Sequence, residues 1–267
     1  MRSSVVIFFA SFLLPSLVGC ASSPAEGDTT SKDGLTGEFE SSDVAKLYAR
    51  GNELFDAEQH RDALRFYNRV LELNPEHIDA LCNAGLCYRL LGFPEKAVES
   101  YERALRFAPV DMTILQNYVI ALQSAGMYER TLAPLDTLMK NAPDDLALRS
   151  SLAQTYFALK RYADAIPVYE KVLRADPGHA QDYYNLGLCH YELNDNDRAL
   201  SMWLTALAHD PKNEAVNKGL AVLYWRRAEY VQAWNAVRTC QSLSIPLSAE
   251  FLTQLQLDSG QLGPDTP

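Results

Sequence analysis

Five cysteines and five histidines are the side chains of this 267-residue chain that are best suited to nucleophilic or metal-dependent chemistry. Such chemistry needs short, characteristic spacings, and the sequence contains no HExxH, no CxxC and no closely spaced pair of histidines. It also lacks GxSxG and the glycine-rich loops that bind phosphate groups. The abundant carboxylates have no evident paired partner. We therefore predict that the chain is not an enzyme and that it carries no metal and no cofactor.

One cysteine, Cys20, differs from the others because it follows an N-terminal apolar segment. Arg2 precedes an apolar run over residues 5–17, which is shorter than the ~20 residues of a membrane-spanning helix and contains Pro15. The run leads directly to the letters LVGC, which end at this cysteine. The motif resembles the bacterial lipobox, which implies a lipoprotein signal peptide over residues 1–19 and lipidation of the Cys20 thiol. The alternative is an ordinary signal peptide with a chance cysteine.

Residues 20–42 are polar, acidic and nearly free of large apolar side chains. Such a segment cannot offset its ordering entropy, so we predict a disordered tether that follows the lipidated cysteine. Several acyl chains on one cysteine give durable anchoring to a membrane. In well-studied lipoprotein sorting an aspartate after the cysteine favours the inner membrane, whereas this chain has Ala21. The resemblance therefore implies a lipid-anchored protein of the bacterial cell envelope, at the outer membrane and facing the periplasm.

A 34-residue period organises the rest of the chain. Within residues 78–111, two apolar stripes with helical spacing flank a Gly-Phe-Pro turn. A proline cannot continue the helix that it follows, so each proline in the register marks the end of a two-helix repeat. A hairpin of this size cannot bury both stripes alone and needs copies on either side. The prolines in register are Pro75, Pro109, Pro143, Pro177 and Pro211.

Small residues recur where two helices must nearly touch, and bulky residues recur opposite them. The eighth position of the repeats holds Gly51, Gly85, Val119, Ala153, Gly187 and Ala221. The twenty-fourth position holds Tyr67, Tyr101, Leu135, Tyr169, Trp203 and Val237. This pattern resembles the tetratricopeptide repeat family. The resemblance implies an all-α fold, a right-handed α-solenoid of about six helix-turn-helix repeats.

The solenoid is predicted over residues 43–247, and residues 248–267 are predicted to form a capping helix and a tail. The third repeat departs from the pattern at Thr131 and the sixth at Asn217, so both are expected to pack less regularly. The predicted repeats lie near 44–77, 78–111, 112–145, 146–179, 180–213 and 214–247.

Four cysteines follow Cys20. Cys82 and Cys87 are five residues apart on one helix, so their side chains point about 140° apart and cannot form a disulfide. Cys87, Cys189 and Cys240 fall at repeat positions that take small residues. We predict buried thiols that act as small apolar groups.

In the family that the repeats resemble, the concave surface is lined from positions two, five, nine, twelve and thirteen of each first helix. Many of these positions are aromatic or aliphatic here, which indicates an anchor surface for a peptide or helix. The alternative is that several are half-buried between neighbouring first helices. The candidate groove residues are Tyr48, Asn52, Phe55, Cys82, Leu86, Arg89, Gln116, Ile120, Gln123, Ser150, Gln154, Phe157, Tyr184, Leu188, Tyr191, Lys218, Val222, Trp225 and Arg226.

Chaperone-binding members of that family grip a C-terminal carboxylate with lysines, an arginine and two asparagines. Asn52 and Asn83 match the places of the two asparagines. The places of the cations hold Tyr48, Thr113 and Asn117 instead. Little is left to hold a carboxylate without these cations, so we do not predict such a clamp.

The charge balance, 24 Lys plus Arg against 34 Asp plus Glu, gives no electrostatic reason to bind nucleic acid. We predict a membrane-anchored periplasmic scaffold that binds segments of envelope proteins during the assembly of envelope complexes. The layout of lipobox, tether and repeats is also similar to pilotin-like lipoproteins, which help pilus or secretion-system secretins to assemble. A third hypothesis is an adaptor that regulates cell-wall enzymes.

Overall fold

The computed structural model describes residues 42–260. The predictions for Cys20, for the signal peptide, for almost all of the tether and for the last seven residues lie outside the described residues. Within residues 42–260, all regular secondary structure is helical and comprises thirteen α-helices, so the all-α repeat fold is confirmed. The chain divides into two compact units, Met1–Pro143 and Asp144–Pro267.

The described part of the N-terminal unit contains three helical hairpins. Each helix packs against the next one along the chain, and the buried apolar side chains of the first five helices form one core. The six helices are α1 (Val44–Asp56), α2 (His60–Leu73), α3 (Ile78–Leu90), α4 (Pro94–Phe107), α5 (Met112–Ser124) and α6 (Tyr128–Asn141).

The described part of the C-terminal unit contains three further hairpins and one additional helix. Its core includes two clusters, one around Trp203 and one around Tyr169. The seven helices are α7 (Leu146–Ala158), α8 (Tyr162–Ala175), α9 (Ala180–Glu192), α10 (Asn196–His209), α11 (Glu214–Arg226), α12 (Tyr230–Ser242) and α13 (Ala249–Ser259).

Polar side chains cap the beginnings of the first helices. Asp43, Asp111 and Asp145 each accept hydrogen bonds from backbone N–H groups in the first turn of the helix that follows. Those N–H groups have no intrahelical acceptor, so each cap stabilises its helix by about 1 kcal/mol. The caps therefore fix where the first helix of a hairpin begins.

The turn inside each hairpin uses a left-handed backbone residue at the fifteenth repeat position. Its φ angle lies between 57° and 82° in all six hairpins. Glycine adopts this conformation without steric cost, whereas a residue with a Cβ atom does not. The six residues are Glu58, Gly92, Gly126, Lys160, Asn194 and Ala228.

Close helix contacts occur at the eighth repeat position, as the small residues there predicted. A Cβ atom added at Gly85 would lie 2.9 Å from the ring of Tyr101, and one at Gly187 would lie 2.3 Å from the ring of Trp203. The bulky residue at the twenty-fourth position therefore fills the space that the missing side chain leaves. This pairing holds the two helices of a hairpin together.

The third and sixth hairpins form helices with nearly the same bounds as the others, and the two helices of the third hairpin contact each other less extensively than those of the other hairpins, as expected. Thr131 is buried, and its hydroxyl donates a hydrogen bond to the Met127 carbonyl oxygen at 3.3 Å. Asn217 is buried as well, and its amide donates to the carbonyl oxygens of Asn213 at 2.8 Å and Pro211 at 3.3 Å. Both polar groups are satisfied locally, so they are tolerated at these buried positions.

Helix α13 covers the end of the last hairpin. Phe251 and Leu255 are buried, and the Trp234 indole donates a hydrogen bond to the Ser259 hydroxyl at 3.1 Å. A terminal repeat would otherwise expose apolar surface. This helix thus occupies the place of the predicted cap.

Candidate functional site

The candidate residues of the N-terminal unit lie on the first helices α1, α3 and α5. They remain half-buried or exposed, and Ile120 is the most open apolar one, with 43% of its surface exposed. These nine side chains are therefore available for contact with a partner. They are Tyr48, Asn52, Phe55, Cys82, Leu86, Arg89, Gln116, Ile120 and Gln123.

A hydrogen-bonded cluster joins α1 to α3 on this face. The Asn83 amide donates to the Asn52 side-chain oxygen at 3.1 Å and to the Tyr48 hydroxyl at 3.2 Å. The Tyr67 hydroxyl donates to the same Asn52 oxygen at 2.8 Å. The ring of Tyr48 lies 4.9 Å from the ring of His77 between centroids. The cluster holds its amide and hydroxyl groups in fixed positions, as a recognition surface requires.

Burial keeps the phenols and the thiol of this face protonated. Desolvation raises the pKa of Tyr48 and of Tyr67 above the ordinary value of 10.0, so both hydroxyls remain hydrogen-bond donors. Burial also raises the pKa of Cys82 to about 11, with Asp79 and Asp111 adding to the effect. A thiol of this kind is not a nucleophile at neutral pH.

Two polar atoms of the second hairpin have no hydrogen-bond partner. The Tyr101 hydroxyl and the Arg89 Nε group are both buried and unbonded within the described residues. Desolvation raises the pKa of Tyr101, and the charge of Arg89 opposes that effect, which shows that the two groups are neighbours. In the first hairpin Asn52 accepts the bond from the equivalent Tyr67 hydroxyl, whereas Leu86 occupies that place here and cannot accept. Tyr101 is fully buried, so its unbonded hydroxyl lies inside the hairpin and is not exposed to a partner.

Three candidate residues of the C-terminal unit belong to the core. Tyr184, Leu188 and Tyr191 are 5%, 8% and 5% exposed, and they pack in the cluster around Trp203. The Trp203 indole donates a hydrogen bond to the Tyr184 carbonyl oxygen at 3.1 Å. These three side chains therefore leave little surface for a partner, and they match the alternative of burial between first helices. Val222 is buried as well.

The candidate residues at the end of α11 are partly covered. The Trp225 indole donates to the Asp258 carboxylate at 2.8 Å, and its ring meets Phe251 edge to face at 5.9 Å. The Arg226 guanidinium lies 4.7 Å from the centroid of the Tyr191 ring. Helix α13 thus occupies much of the surface that Trp225 would offer. Lys218 is half-buried on the same helix and pairs with Glu214.

Residues of α7 form the remaining part of the candidate surface. Gln154 and Phe157 are half-buried, and the Phe157 ring lies 5.4 Å from the Tyr162 ring. The Ser150 hydroxyl donates to the Asp182 carboxylate at 3.0 Å, so it joins α7 to α9.

Sequence reasoning missed Asp182, which is 1% exposed and also lies 3.0 Å from Nδ1 of His179. A signal was available, because the third repeat position is otherwise apolar from the second repeat onward. The equivalent residues are Ala80, Ile114, Leu148 and Val216.

The places that hold cations in a carboxylate clamp are neutral in the structure. Tyr48 lies within the hydrogen-bonded cluster of α1 and α3. The Asn117 amide donates to the Thr113 carbonyl oxygen at 3.1 Å, so it is directed along its own helix. The geometry gives no reason to revise the prediction that this clamp is absent.

Within residues 42–260, no cluster of three histidine, cysteine, aspartate or glutamate side chains is arranged to hold a metal ion. The four cysteines of this part are free thiols, and Cys87, Cys189 and Cys240 are buried, as predicted. None of the helices described is both long enough and apolar enough to cross a membrane.

Stacked helical hairpins that present a partly polar face on their first helices define a helical repeat protein. Two family models, both described as tetratricopeptide repeat, match this chain, one at residues 48–111 and 183–237 and the other at residues 156–203. The chain therefore carries tetratricopeptide repeats. Repeats of this class generally form non-catalytic scaffolds that bind peptides or other proteins.

Two curated relatives are similar to this chain over only a short part of their own length. The Hsp70-Hsp90 organizing protein of Triticum aestivum is 35% identical over 74 residues, which cover 28% of this chain and 13% of that protein. Heat shock protein STI1 of Saccharomyces cerevisiae is 33% identical over 73 residues, which cover 27% of this chain and 12% of that protein. The chain thus matches only about an eighth of the length of each relative.

Solved structures share the fold at low sequence identity. YrrB, described as a TPR protein with an unusual peptide-binding site, has a TM-score of 0.59 and 22% identity and covers 66% of this chain and 90% of its own. PilF of Pseudomonas aeruginosa has a TM-score of 0.60 and 18% identity and covers 80% and 97%. MamA of Desulfovibrio magneticus RS-1 has a TM-score of 0.55 and 23% identity and covers 62% and 93%. These likenesses show the fold alone.

Proposed function

We propose that the protein is a lipid-anchored scaffold of the bacterial envelope that captures segments of other envelope proteins on the first helices of its N-terminal unit. One observation carries the proposal: the half-buried polar cluster around Asn83 lies on first helices that also carry half-buried or exposed apolar side chains, among them Leu86 and Ile120. Fixed donors next to apolar anchors suit an extended peptide, whose carbonyl groups accept hydrogen bonds.

The anchor is the second part of the proposal. The lipobox-like letters that end at Cys20 support lipidation, and Ala21 supports the outer membrane with the repeats facing the periplasm. Confinement to a membrane surface raises the effective concentration of the scaffold for other envelope proteins. Replacing Cys20 by serine should release the protein from membranes into the soluble periplasmic fraction. Continued membrane fractionation of this variant would refute lipidation.

Site-specific photo-crosslinking tests the capture surface. A photoreactive amino acid at Gln116 or Ile120, which are exposed on α5, should yield a discrete crosslinked product in membranes. The matched control is Val110, which is also exposed but lies in the loop after α4. Replacing both Asn52 and Asn83 by alanine should remove the product. Equal products from the control position would show that the first helices are not the site.

The architecture of lipobox, tether and six hairpins also supports a second candidate function, a pilotin-like role in secretin assembly. Recovery of a secretin as the crosslinked partner favours this role, and loss of secretin multimers on deletion of the gene would be its consequence. Recovery of cell-wall hydrolases or polymerases favours instead an adaptor that regulates these enzymes.

A further inference from the structure

A pocket lies between α2 and α4 of the N-terminal unit, away from the first-helix residues that form the proposed capture surface. Its volume is about 220 Å³. Pockets for drug-sized ligands enclose roughly 300–1,000 Å³, so this pocket suits a single side chain. It is lined by Asn68 and Leu71 of α2, Tyr88 of α3, and Lys96, Glu99, Ser100 and Arg103 of α4.

The two cations of the pocket are exposed and contact aromatic rings or a carbonyl oxygen rather than a carboxylate. The Lys96 ammonium lies 5.8 Å from the centroid of the Tyr88 ring and 5.4 Å from that of Phe93. The Arg103 guanidinium donates to the Pro75 carbonyl oxygen at 3.3 Å. Within residues 42–260 neither cation forms an ion pair, although Glu99 lies between them on α4. The lining therefore retains one net positive charge.

The next hairpin of the same unit shows how such a cation is normally compensated. Glu102 of α4 forms an ion pair with Arg130 of α6 and accepts a hydrogen bond from the Tyr118 hydroxyl at 2.9 Å. In the 34-residue register Arg130 corresponds to Lys96, and Glu102 corresponds to Asn68. The pocket therefore has an amide, Asn68, at the register position where the next hairpin has a carboxylate, and Glu99 is its one acidic side chain.

We infer that this pocket binds the carboxylate of an acidic side chain from a protein partner. Lys96 and Arg103 provide the charge, and the Asn68 amide provides a neutral donor at the place where Glu102 supplies its carboxylate in the next hairpin. Leu71 and Tyr88 provide apolar surface for the methylene groups of the side chain. Glu99 limits the excess of positive charge to one, which a single carboxylate neutralises.

Two blocked alanine pentapeptides test the inference, one with a central glutamate and one with a central glutamine, titrated into the full chain and followed by NMR. The glutamate peptide should shift the amide resonances of α2 and α4 around Lys96, and the glutamine peptide should not. Equal binding of the two peptides, or shifts confined to α1, α3 and α5, would overturn the inference. The latter result would leave the proposed capture surface intact.

Substitutions at equivalent positions of neighbouring repeats provide a second test. Asn68→Glu installs the acid of the next hairpin, so it should weaken binding of the glutamate peptide by about fivefold or more and raise the melting temperature. Asn68→Gln is the matched control and should retain binding. Lys96→Gln should weaken binding, whereas Arg130→Gln should not, because that cation is already paired. Undiminished binding to the Asn68→Glu variant would overturn the inference.

Discussion

Trp203 occupies a space that two glycines leave open, and its environment can be tested one residue at a time. A Cβ atom at Gly187 would lie 2.3 Å from the indole, and one at Gly219 would lie 3.1 Å from its far edge. The third hairpin solves the same contact differently, with the larger Val119 opposite the smaller Leu135. A larger residue at the eighth position is therefore expected to require a smaller residue at the twenty-fourth.

Gly187→Ala should lower the free energy of unfolding by about 1–3 kcal/mol, because the indole must move and weaken its hydrogen bond to Tyr184. Chemical denaturation with tryptophan fluorescence measures the change. Gly178→Ala is the control, because its added Cβ atom would meet only an Asp176 oxygen at 3.4 Å. Combining Gly187→Ala with Trp203→Leu should cost less than the sum of the two single changes. If the changes in the free energy of unfolding of the two single variants simply add in the double variant, the proposed dependence between the sizes of these two residues would be contradicted.

His190 makes stability depend on pH. Burial lowers its pKa below the ordinary value of 6.5, although Asp195, 3.6 Å from Nδ1, opposes the shift. The neutral imidazole is favoured in the folded state, so its stabilising contribution is complete above pH 6.5 and is lost as pH falls through the folded-state pKa. His190→Tyr, which matches Tyr88 and Tyr224 in the register, should flatten the decline of melting temperature between about pH 7 and pH 5. Parallel curves for the two proteins would exclude this residue as a cause.

At the scale of the hairpin, the turn is controlled by backbone conformation rather than by side-chain contacts. The added Cβ atoms at Gly92 and Gly126 would meet nothing within 4 Å, yet the same left-handed φ recurs in all six hairpins. Residues other than glycine adopt the same angle at this position despite its steric cost. We infer that the helices on both sides of the turn impose it.

Ala228→Gly should therefore raise the free energy of unfolding by up to about 1 kcal/mol, because relief of the left-handed strain exceeds the added flexibility of the unfolded chain. Gly92→Ala should lower it by a similar amount. Asn194→Gly serves as the control and should change little, since asparagine tolerates this conformation. Thermal unfolding followed by circular dichroism measures all three. A destabilised Ala228→Gly variant would contradict the argument.

At the scale of the whole molecule, the chain divides into two compact units, and each contains buried apolar clusters made of its own residues. The clusters around Trp203 and Tyr169 contain only residues of the C-terminal unit. A fragment of residues 144–267 should therefore be helical by circular dichroism and melt cooperatively. A fragment of residues 144–247 lacks the buried Phe251 and Leu255 and should melt at a lower temperature. A fragment of residues 144–267 without helical signal would show that this unit needs the preceding hairpins.

The 34-residue register predicted the hairpins, their turns and their close contacts, because each is set by local residue size and backbone freedom. It could not predict which candidate groove residues are accessible. Tyr48 and Tyr184 share the fifth repeat position, yet Tyr48 is half-buried and Tyr184 is buried. The difference arises because α9 packs against α7, α8 and α10 and shares a buried cluster with α11, whereas no described hairpin precedes α1. Accessibility thus depends on neighbours in the stack, which a single repeat does not encode.

The turns at the fifteenth position have a practical consequence. Since the flanking helices determine the backbone conformation of these six turns whichever amino acid is present, the turns should tolerate an attached chemical group. A fluorophore coupled to a cysteine that replaces Glu58 or Lys160 would report on each unit separately once the half-buried Cys82 is replaced by alanine, since Cys87, Cys189 and Cys240 are buried. Each compact unit therefore carries three turns that can serve as attachment points for probes.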